Sequence, residues 1–281
     1  MATVDGVPAS TAQLAALALT NYGHFTTLRV EEGGGVRGLG LHLERLVRDC
    51  AAVFGAALDP ERVRGHVRAA CVREAADGRS GALNVRVTVF DPALDIVRPA
   101  EPAADPRVLV TVRPAGGLFP PPLRVTARPY RRDVPAVKHV GLFGPLALRR
   151  EARRAGFDDV LFTEPGPGPG TGTGHGGDAL VTEGCTWNVG FVDAAGRVVW
   201  PAADVLPGVT MRLLREAHPG ALVRPVRMGE LPALRAAFAT NAAIGVRTVH
   251  AVDGHRFPAD DPVLAELRAA YAALPLDRLA D

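Results

Sequence analysis

The sequence predicts an α+β protein of two domains, a smaller N-terminal α/β domain followed by a larger C-terminal β-rich domain with helices. Three observations lead there. The chain has 281 residues, 47% hydrophobic and 22% charged, an ordinary globular composition with enough apolar material for two cores. Segments of helical and of strand periodicity are interspersed along its length. Between them, residues 114–123 carry Pro114, Gly116, Gly117 and the run Pro120, Pro121, Pro122, which can continue neither a helix nor a central strand. We therefore expect domains at 1–113 and 124–281, joined by a linker at 114–123.

The elements follow in order. Thr26 to Val30 reads as a short strand, and Glu32 to Gly35 as a Gly-rich turn. Leu41, Leu43, Leu46, Val47, Cys50 and Phe54 then share one broad helical face, which predicts a helix over 41–54. A second helix is expected from Pro60 to Glu74, with the proline at its start, where a missing N–H costs nothing. Ala82 to Phe90 and Val108 to Val112 alternate or run apolar, as strands do. Beyond the linker, Gly144 to Ala155 reads as an Arg-rich helix, Val160 to Thr163 as a strand, and Ala179 to Thr182 and Trp187 to Val192 as its neighbours. Arg197–Trp200, Thr210–Ala217, Leu231–Phe238, Gly245–Val252 and Pro262–Ala273 supply further strands and helices. The run PGPGPGTGTGHGG at Pro165–Gly177 reads as a surface loop. Within it Gly172, Gly174 and Gly177 mimic a dinucleotide fingerprint, but a strand follows where that site needs a helix N-terminus. His175 stands there without neighbouring ligand residues and reads as an exposed loop histidine.

Several classes of function are disfavoured by the bulk numbers. With a formal charge of +2 and both signs interspersed, no long-range field would draw the protein to nucleic acid or a membrane surface. No stretch approaches 18 uncharged apolar residues, and the first twenty positions lack the basic start and apolar run of a signal peptide, so we expect a cytoplasmic protein. Cys50, Cys71 and Cys185 are odd in number and scattered, without the spacing of a metal or redox site, and read as reduced thiols.

Of the 32 basic Lys and Arg residues, 31 are arginines, and the single lysine is Lys138. Arginine replaces lysine wherever a general positive charge suffices. It cannot lose its proton near neutral pH and attack a carbonyl as a free amine. Covalent amine chemistry requires that loss. A lone lysine in so Arg-rich a chain is therefore a candidate for Schiff-base chemistry, with a chance surface lysine as the alternative.

Four segments place Lys138 in a wider pattern. They are YGHFTTLRV at 22–30 with LHLERL at 41–46, VKHVGLFGPLALRREARRAG at 137–156, VTEGCTWNVGFV at 181–192, and VLPGVTMRLL at 205–214. Together they resemble the class IV, or fold type IV, family of pyridoxal phosphate (PLP) enzymes, which includes branched-chain and D-amino-acid aminotransferases and aminodeoxychorismate lyase. The resemblance runs from about Tyr22 to Asp253 and implies a two-domain D-amino-acid aminotransferase-like fold. It implies that Lys138 is the Schiff-base lysine, with Glu151, Ala152 and Gly156 fitting the pattern after it. Arg45 would bind the cofactor phosphate, which suits a guanidinium able to hold two oxygens at once. Alone, Arg45 reads better as a solvated helix residue. Glu183 would pair with the pyridine nitrogen, with Asn188 five residues on; alone, it reads as a turn residue. Leu206 would pack behind the ring, and the amides of Val209 and Thr210, with the Thr210 hydroxyl, would bind phosphate at a helix start. TNAAIGVRTV at 240–249 resembles a second phosphate loop containing Asn241 and Ala242. Where some relatives have a tyrosine that touches the cofactor's phenolic oxygen, this chain has Leu142 and Phe143. Tyr22, Arg131 and Arg132 are candidates for substrate binding.

The resemblance implies an amino acid and a 2-oxo acid as partners, and a homodimer. An aminotransferase is the first expectation, because E-G-x-x-x-N and L-P-G-V-T resemble that branch. Aminodeoxychorismate lyase is the rival, supported by FTTLRV, VKH and the Asn241-Ala242 pair. The lyase's Gly- and Arg-rich segment after the strand at 84–90 is replaced here by DPALDIVRP. An inactive PLP-fold binding module is a third reading, opposed by retention of the lone lysine.

Overall fold

A computed structural model describes residues 2–100, 104–165, 178–258 and 260–280. Pro165 begins the low-complexity run, but Gly172, Gly174, His175 and Gly177 lie outside the described residues. Contacts divide the chain into two units: Met1–Gly116 with Val137–Gly141 and Pro275–Asp281, and Gly117–Ala136 with Leu142–Leu274.

The first unit contains β1 (Ala2–Val4), β2 (Val7–Pro8), α1 (Thr11–Thr20), β3 (His24–Val30), β4 (Gly35–Val36), α2 (Leu39–Phe54), α3 (Pro60–Ala76), β5 (Leu83–Phe90) and β6 (Arg107–Pro114). Among the described residues its sheet has seven strands. A two-residue C-terminal strand, Asp277–Arg278, forms one edge beside β4, followed by β3, β5, β6, β1 and β2, with every pairing antiparallel. Alternation along β5 sends Leu83, Val85, Val87 and Val89 into a core with Leu43, Leu46 and Cys50 of α2 and Val63, Val67 and Ala70 of α3. The helices start where their caps dictate. Asp59 accepts the Glu61 N–H at 2.9 Å with Pro60 in the first turn of α3, and Ser10 and Gln13 form a capping box on α1. The pairing of Phe25 with Thr88 and Thr27 with Arg86 puts these four residues on the face opposite that core.

The second unit contains β7 (Leu123–Pro129), α4 (Phe143–Arg154), β8 (Asp159–Glu164), β9 (Leu180–Gly184), β10 (Asn188–Val192), β11 (Val198–Pro201), α5 (Val209–Ala217), β12 (Leu222–Arg224), a 3-10 turn (Met228–Ala233), β13 (Ala236–Asn241), β14 (Gly245–Val252), β15 (His255–Arg256) and α6 (Pro262–Ala273). The strand order is β12, β11, β10, β13, β14, β7, β8, β9, with β15 beside β14. β9 pairs back to β10 through Glu183 and Asn188, so six strands close on themselves. β7 and β8 are parallel and α4 makes the crossover between them, as parallel pairing demands. Trp187, Val189, Phe191, Val199, Ala237, Ala239 and Val249 fill one core, while Trp200, Phe238, Leu214, Leu264 and Tyr271 fill another against α5 and α6. The fold is mixed α and β, as the sequence predicts, and Leu231–Phe238 divides between the 3-10 turn and β13.

Candidate active site

In the first unit, the segment around Lys138 runs antiparallel to the start of β3. Phe25 N–H donates to the Lys138 carbonyl at 2.8 Å, Val140 N–H donates to the Gly23 carbonyl at 2.9 Å, and His24 bridges His139. The Lys138 N–H donates to Asp49 Oδ2 on α2 at 3.0 Å. The lysine backbone is thus held on both sides, and its Nζ lies 4.9 Å from the centre of the Phe25 ring. The Arg86 guanidinium carbon is 3.6 Å from the same ring centre.

Arg45 is buried on α2, the helix that the spacing of its apolar face predicted. Its Nη2 donates to the Thr26 hydroxyl on β3, and that hydroxyl lies 2.7 Å from His42 Nδ1. Because the Thr26 oxygen accepts from Arg45, its one proton is left to donate to His42, whose own proton then sits on Nε2. Burial, then the charges of Arg45 and Lys138, push His42 well below the usual imidazole range, consistent with that neutral form. His24 is pushed down to about 4, chiefly by burial, against the pull of Asp49 and with a further push from Arg45. Asp49 is itself met by Arg48 at 2.7 Å. Tyr22 is exposed, with its hydroxyl donating to the Val53 carbonyl at 3.0 Å and its ring edge-on to Phe54.

In the second unit, Glu183 is the penultimate residue of β9 and is 5% exposed, as is Arg132, whose Nε donates to Glu183 Oε1 at 2.5 Å. Arg132, one of the two arginines expected near the substrate carboxylate, thus has its guanidinium out of solvent and directed at Glu183. Arg131, the adjacent candidate, points outward, 69% exposed, towards Asp204 at 3.4 Å and Glu164 at 3.9 Å. Asn188, opposite Glu183 in the register, donates from Nδ2 to the carbonyl of buried Leu206 at 2.8 Å. Gly208 then caps α5, and a Cβ there would come within 2.0 Å of Asn188 Oδ1, so a side chain at this position would have to push Asn188 away from Leu206. The cap gives no side-chain acceptor to the first amides, Val209 and Thr210, and the α5 first turn has no acidic residue. Thr210 Oγ1 is buried with no hydrogen-bond partner among the described residues. Free amides, a helix dipole and an unsatisfied hydroxyl together suit a phosphate. Asn241 closes the β13–β14 turn, its Oδ1 accepting from Ala243 and Ile244 at 2.9 and 3.1 Å around Ala242, and its Nδ2 donating to the Thr186 carbonyl at 3.0 Å. Phe143, in the region where relatives carry a tyrosine, is 86% exposed.

The residues sequence reasoning passed over are Thr26, His42, Asp49 and Arg86 in the first unit, and Arg149, Asp159 and Trp187 in the second. Thr26, His42, Arg149 and Trp187 stood within the quoted motifs, so a signal existed. The others had none beyond their residue type. Among the described residues no group of three His, Cys, Asp or Glu side chains could hold a metal ion, and no helix is long and apolar enough to cross a membrane.

The sequence matches the profile of the amino-transferase class IV family over residues 23–252. Among curated proteins, none is significantly similar. Among solved structures, the chain is similar to a hypothetical aminotransferase from Mycobacterium tuberculosis in its PLP-bound form, at 22% identity and a TM-score of 0.77, covering 97% of this chain and 99% of that one. A fold IV transaminase from Curtobacterium pusillum is 25% identical with a TM-score of 0.74, over 92% of this chain and 88% of that one. A putative 4-amino-4-deoxychorismate lyase from Legionella pneumophila is 18% identical with a TM-score of 0.73, over 93% of each chain. With the profile spanning most of its length, the chain belongs to the class IV amino-transferases, enzymes that use pyridoxal phosphate.

Proposed function

We propose that this protein is an aminotransferase that moves an amino group between a small amino acid and a 2-oxo acid, with Lys138 as the residue that carries the cofactor. The observation that supports it most is that the one lysine in the chain is also the residue whose backbone is clamped by Phe25 and Asp49. Bound pyridoxal phosphate would supply an electron sink for negative charge developing at the substrate Cα. Lys138 Nζ would hold and then move the proton at that carbon. Glu183, its charge stabilised by Arg132, would face the ring nitrogen, and Leu206 would lie behind the ring beside Asn188. Arg45, the Val209 and Thr210 amides, the Thr210 hydroxyl and the Asn241–Ala242 turn would share the phosphate. The orphaned Thr210 hydroxyl and the uncapped helix start are what make these residues fit that group. Arg86, beside the ring that also carries Lys138 Nζ, replaces Arg132 as our candidate for the substrate carboxylate.

We further assign a cytoplasmic homodimer. Its support is α1, whose sequence TAQLAALALT has no charged residue and none that is buried, with Leu19 largely exposed.

Purified protein supplied with PLP should convert an amino acid and 2-oxoglutarate or pyruvate to the exchanged pair. The Asn241-Ala242 pair supports a second reading, the lyase. Formation of pyruvate and 4-aminobenzoate from aminodeoxychorismate, without amino exchange, would overturn the transaminase in its favour.

A further inference from the structure

Asp159 opens β8 as a buried carboxylate with four contacts. Its Oδ1 accepts from Arg149 Nε and from the Val160 amide, both at 2.8 Å, and its Oδ2 accepts from Arg149 Nη2 at 2.7 Å and from Trp187 Nε1 at 2.9 Å. All its lone-pair directions are used, so the carboxylate and both side-chain partners are fixed in place. Burial alone would lower Arg149, but the hydrogen bonds and charge of Asp159 outweigh it and hold the guanidinium above its ordinary value. Arg149 Nη2 also donates to the Thr186 hydroxyl at 2.9 Å. An ion pair on α4 and β8 therefore grips two successive residues, Thr186 and Trp187, in the turn between β9 and β10.

That turn connects two places the proposed function needs. On one side, the Gly184 N–H donates to the Trp187 carbonyl at 2.8 Å, and the indole lies where a Gly184 Cβ would stand, so the position of Trp187 sets the backbone directly after Glu183. On the other, the Thr186 carbonyl accepts from Asn241 Nδ2, whose Oδ1 in turn holds the Ala243 and Ile244 amides. One polar chain of contacts runs from Arg149 and Asp159 through Thr186 and Trp187 to both Glu183 and the Asn241 turn.

We propose that Arg149, Asp159, Thr186 and Trp187 are positioning residues that lock the Glu183 turn to the Asn241 turn, so that the groups for the two ends of the cofactor are fixed as one piece. None of the four needs to touch the cofactor. The inference rests on the reading of Glu183 and Asn241 as cofactor residues and adds what sets their spacing. A pair fixed in advance binds with less ordering cost than two independent loops.

The experiment uses the full chain, with and without PLP. Thr186→Val removes the acceptor of Arg149 Nη2 in a side chain of the same shape, Trp187→Phe removes the donor to Asp159 and keeps an aromatic ring, and Arg149→Met breaks the ion pair outright. In the protein without cofactor, amide hydrogen exchange of a peptide covering 240–246 should speed up in Thr186→Val and Arg149→Met, while a peptide from α6 stays unchanged. PLP affinity, measured well below the melting temperature, should weaken roughly tenfold in Thr186→Val and Trp187→Phe, the scale of one lost hydrogen bond, and further in Arg149→Met. Arg149→Lys, which keeps the charge and loses the fork, should recover only part of the loss. Variants that melt earlier but keep wild-type exchange at 240–246 and wild-type PLP affinity would show a purely structural ion pair and overturn the inference. A wild-type protein that binds no PLP would instead overturn the functional reading beneath it, and the exchange result would still decide whether the two turns are locked.

Discussion

The neighbourhood of Lys138 and that of Glu183 treat buried polarity in different ways. In the first unit, Arg45 meets a hydroxyl and an imidazole, and His24 and His42 are both held neutral by burial in company with Arg45. There the buried Asp49 has only a half-exposed arginine, Arg48, beside it, whereas around Glu183 the two buried carboxylates meet arginines that are themselves mostly out of solvent: Glu183 with Arg132, and Asp159 with Arg149. Neutral histidines beside cations leave a region of net positive potential, suited to a phosphate and hostile to a second protonated base. Paired ions leave little net field and a fixed geometry, which suits a group whose task is to hold one carboxylate in one place. The difference teaches that the Lys138 neighbourhood is tuned through charge and the Glu183 neighbourhood through rigidity. It also says which variants should change chemistry and which should change stability.

The largest effect tests the first unit. Lys138→Arg keeps the positive charge and the backbone contacts to Phe25 and Asp49, yet removes the only side-chain amine that can give up its proton. Turnover should fall by roughly a thousandfold or more, and the visible absorbance of the PLP-loaded protein should vanish, with the melting temperature nearly unchanged. A variant that keeps its spectrum would end the assignment of Lys138. Next in size, Arg132→Met strands the Glu183 carboxylate in a site 5% exposed to water, and should cost about 3–5 kcal/mol in urea unfolding. The double variant Arg132→Met, Glu183→Leu should recover most of that stability but not the PLP affinity. If the double variant is no more stable than the single one, the pair is not the rigid element described here.

The balance between charge and rigidity also explains what could be read in the sequence. Helix α2 and strand β5 fell within two residues of their expected bounds because one face of each is apolar and the other polar, so period and burial coincide. Helix α1 escaped because TAQLAALALT is apolar on every side, which leaves no period, although Ser10 and Gln13 carried a capping signal. Strand β7 escaped because it starts directly behind three prolines. The proposed roles of Lys138 and Glu183 come from residue type and motif spacing alone. The burial of Arg132 was not legible because its partner lies 51 residues away, and no local pattern distinguishes a buried arginine from a solvated one among 31. Arg86 occupies the outward phase of an alternating strand, which reads as solvent until the register places Phe25 and Thr88 on the same face.

The neutral histidines predict a pH signature. His24 sits at about 4 in the folded chain against 6.5 for an ordinary imidazole, so between those values the unfolded chain binds the extra proton. Stability is therefore full above pH 6.5, declines as pH falls towards 4, and levels off below it, for a total of about 3 kcal/mol from this residue. His24→Leu should flatten that decline in urea titrations taken from pH 7 to pH 4, while an unchanged slope would assign it elsewhere. His42 moves in the same direction, so the flattening should be partial. A somewhat smaller cost attends Gly208→Ala, whose new methyl group must displace Asn188 from Leu206. About 1–3 kcal/mol is expected from the overpacking, with a parallel loss of PLP affinity that would be absent if the α5 start had no part in binding.

The smallest effect makes the sharpest control, because Arg131 and Arg132 are neighbours in sequence with the same side chain. Arg131 is 69% exposed, and its contacts, 3.4 Å to Asp204 and 3.9 Å to Glu164, are surface ion pairs screened by water and salt. Arg131→Ala should change stability by no more than about 0.5 kcal/mol, and that difference should shrink in added salt. If Arg131 received the substrate carboxylate, the same variant would raise KM for the amino acid while leaving PLP affinity alone. Arg86→Gln carries that expectation here, since its guanidinium lies beside the Phe25 ring that also carries Lys138 Nζ. Measuring KM for one amino acid in Arg131→Ala and Arg86→Gln side by side therefore separates the two arginines: a rise confined to Arg86→Gln supports the carboxylate at that strand, and a rise confined to Arg131→Ala returns it to the exposed loop.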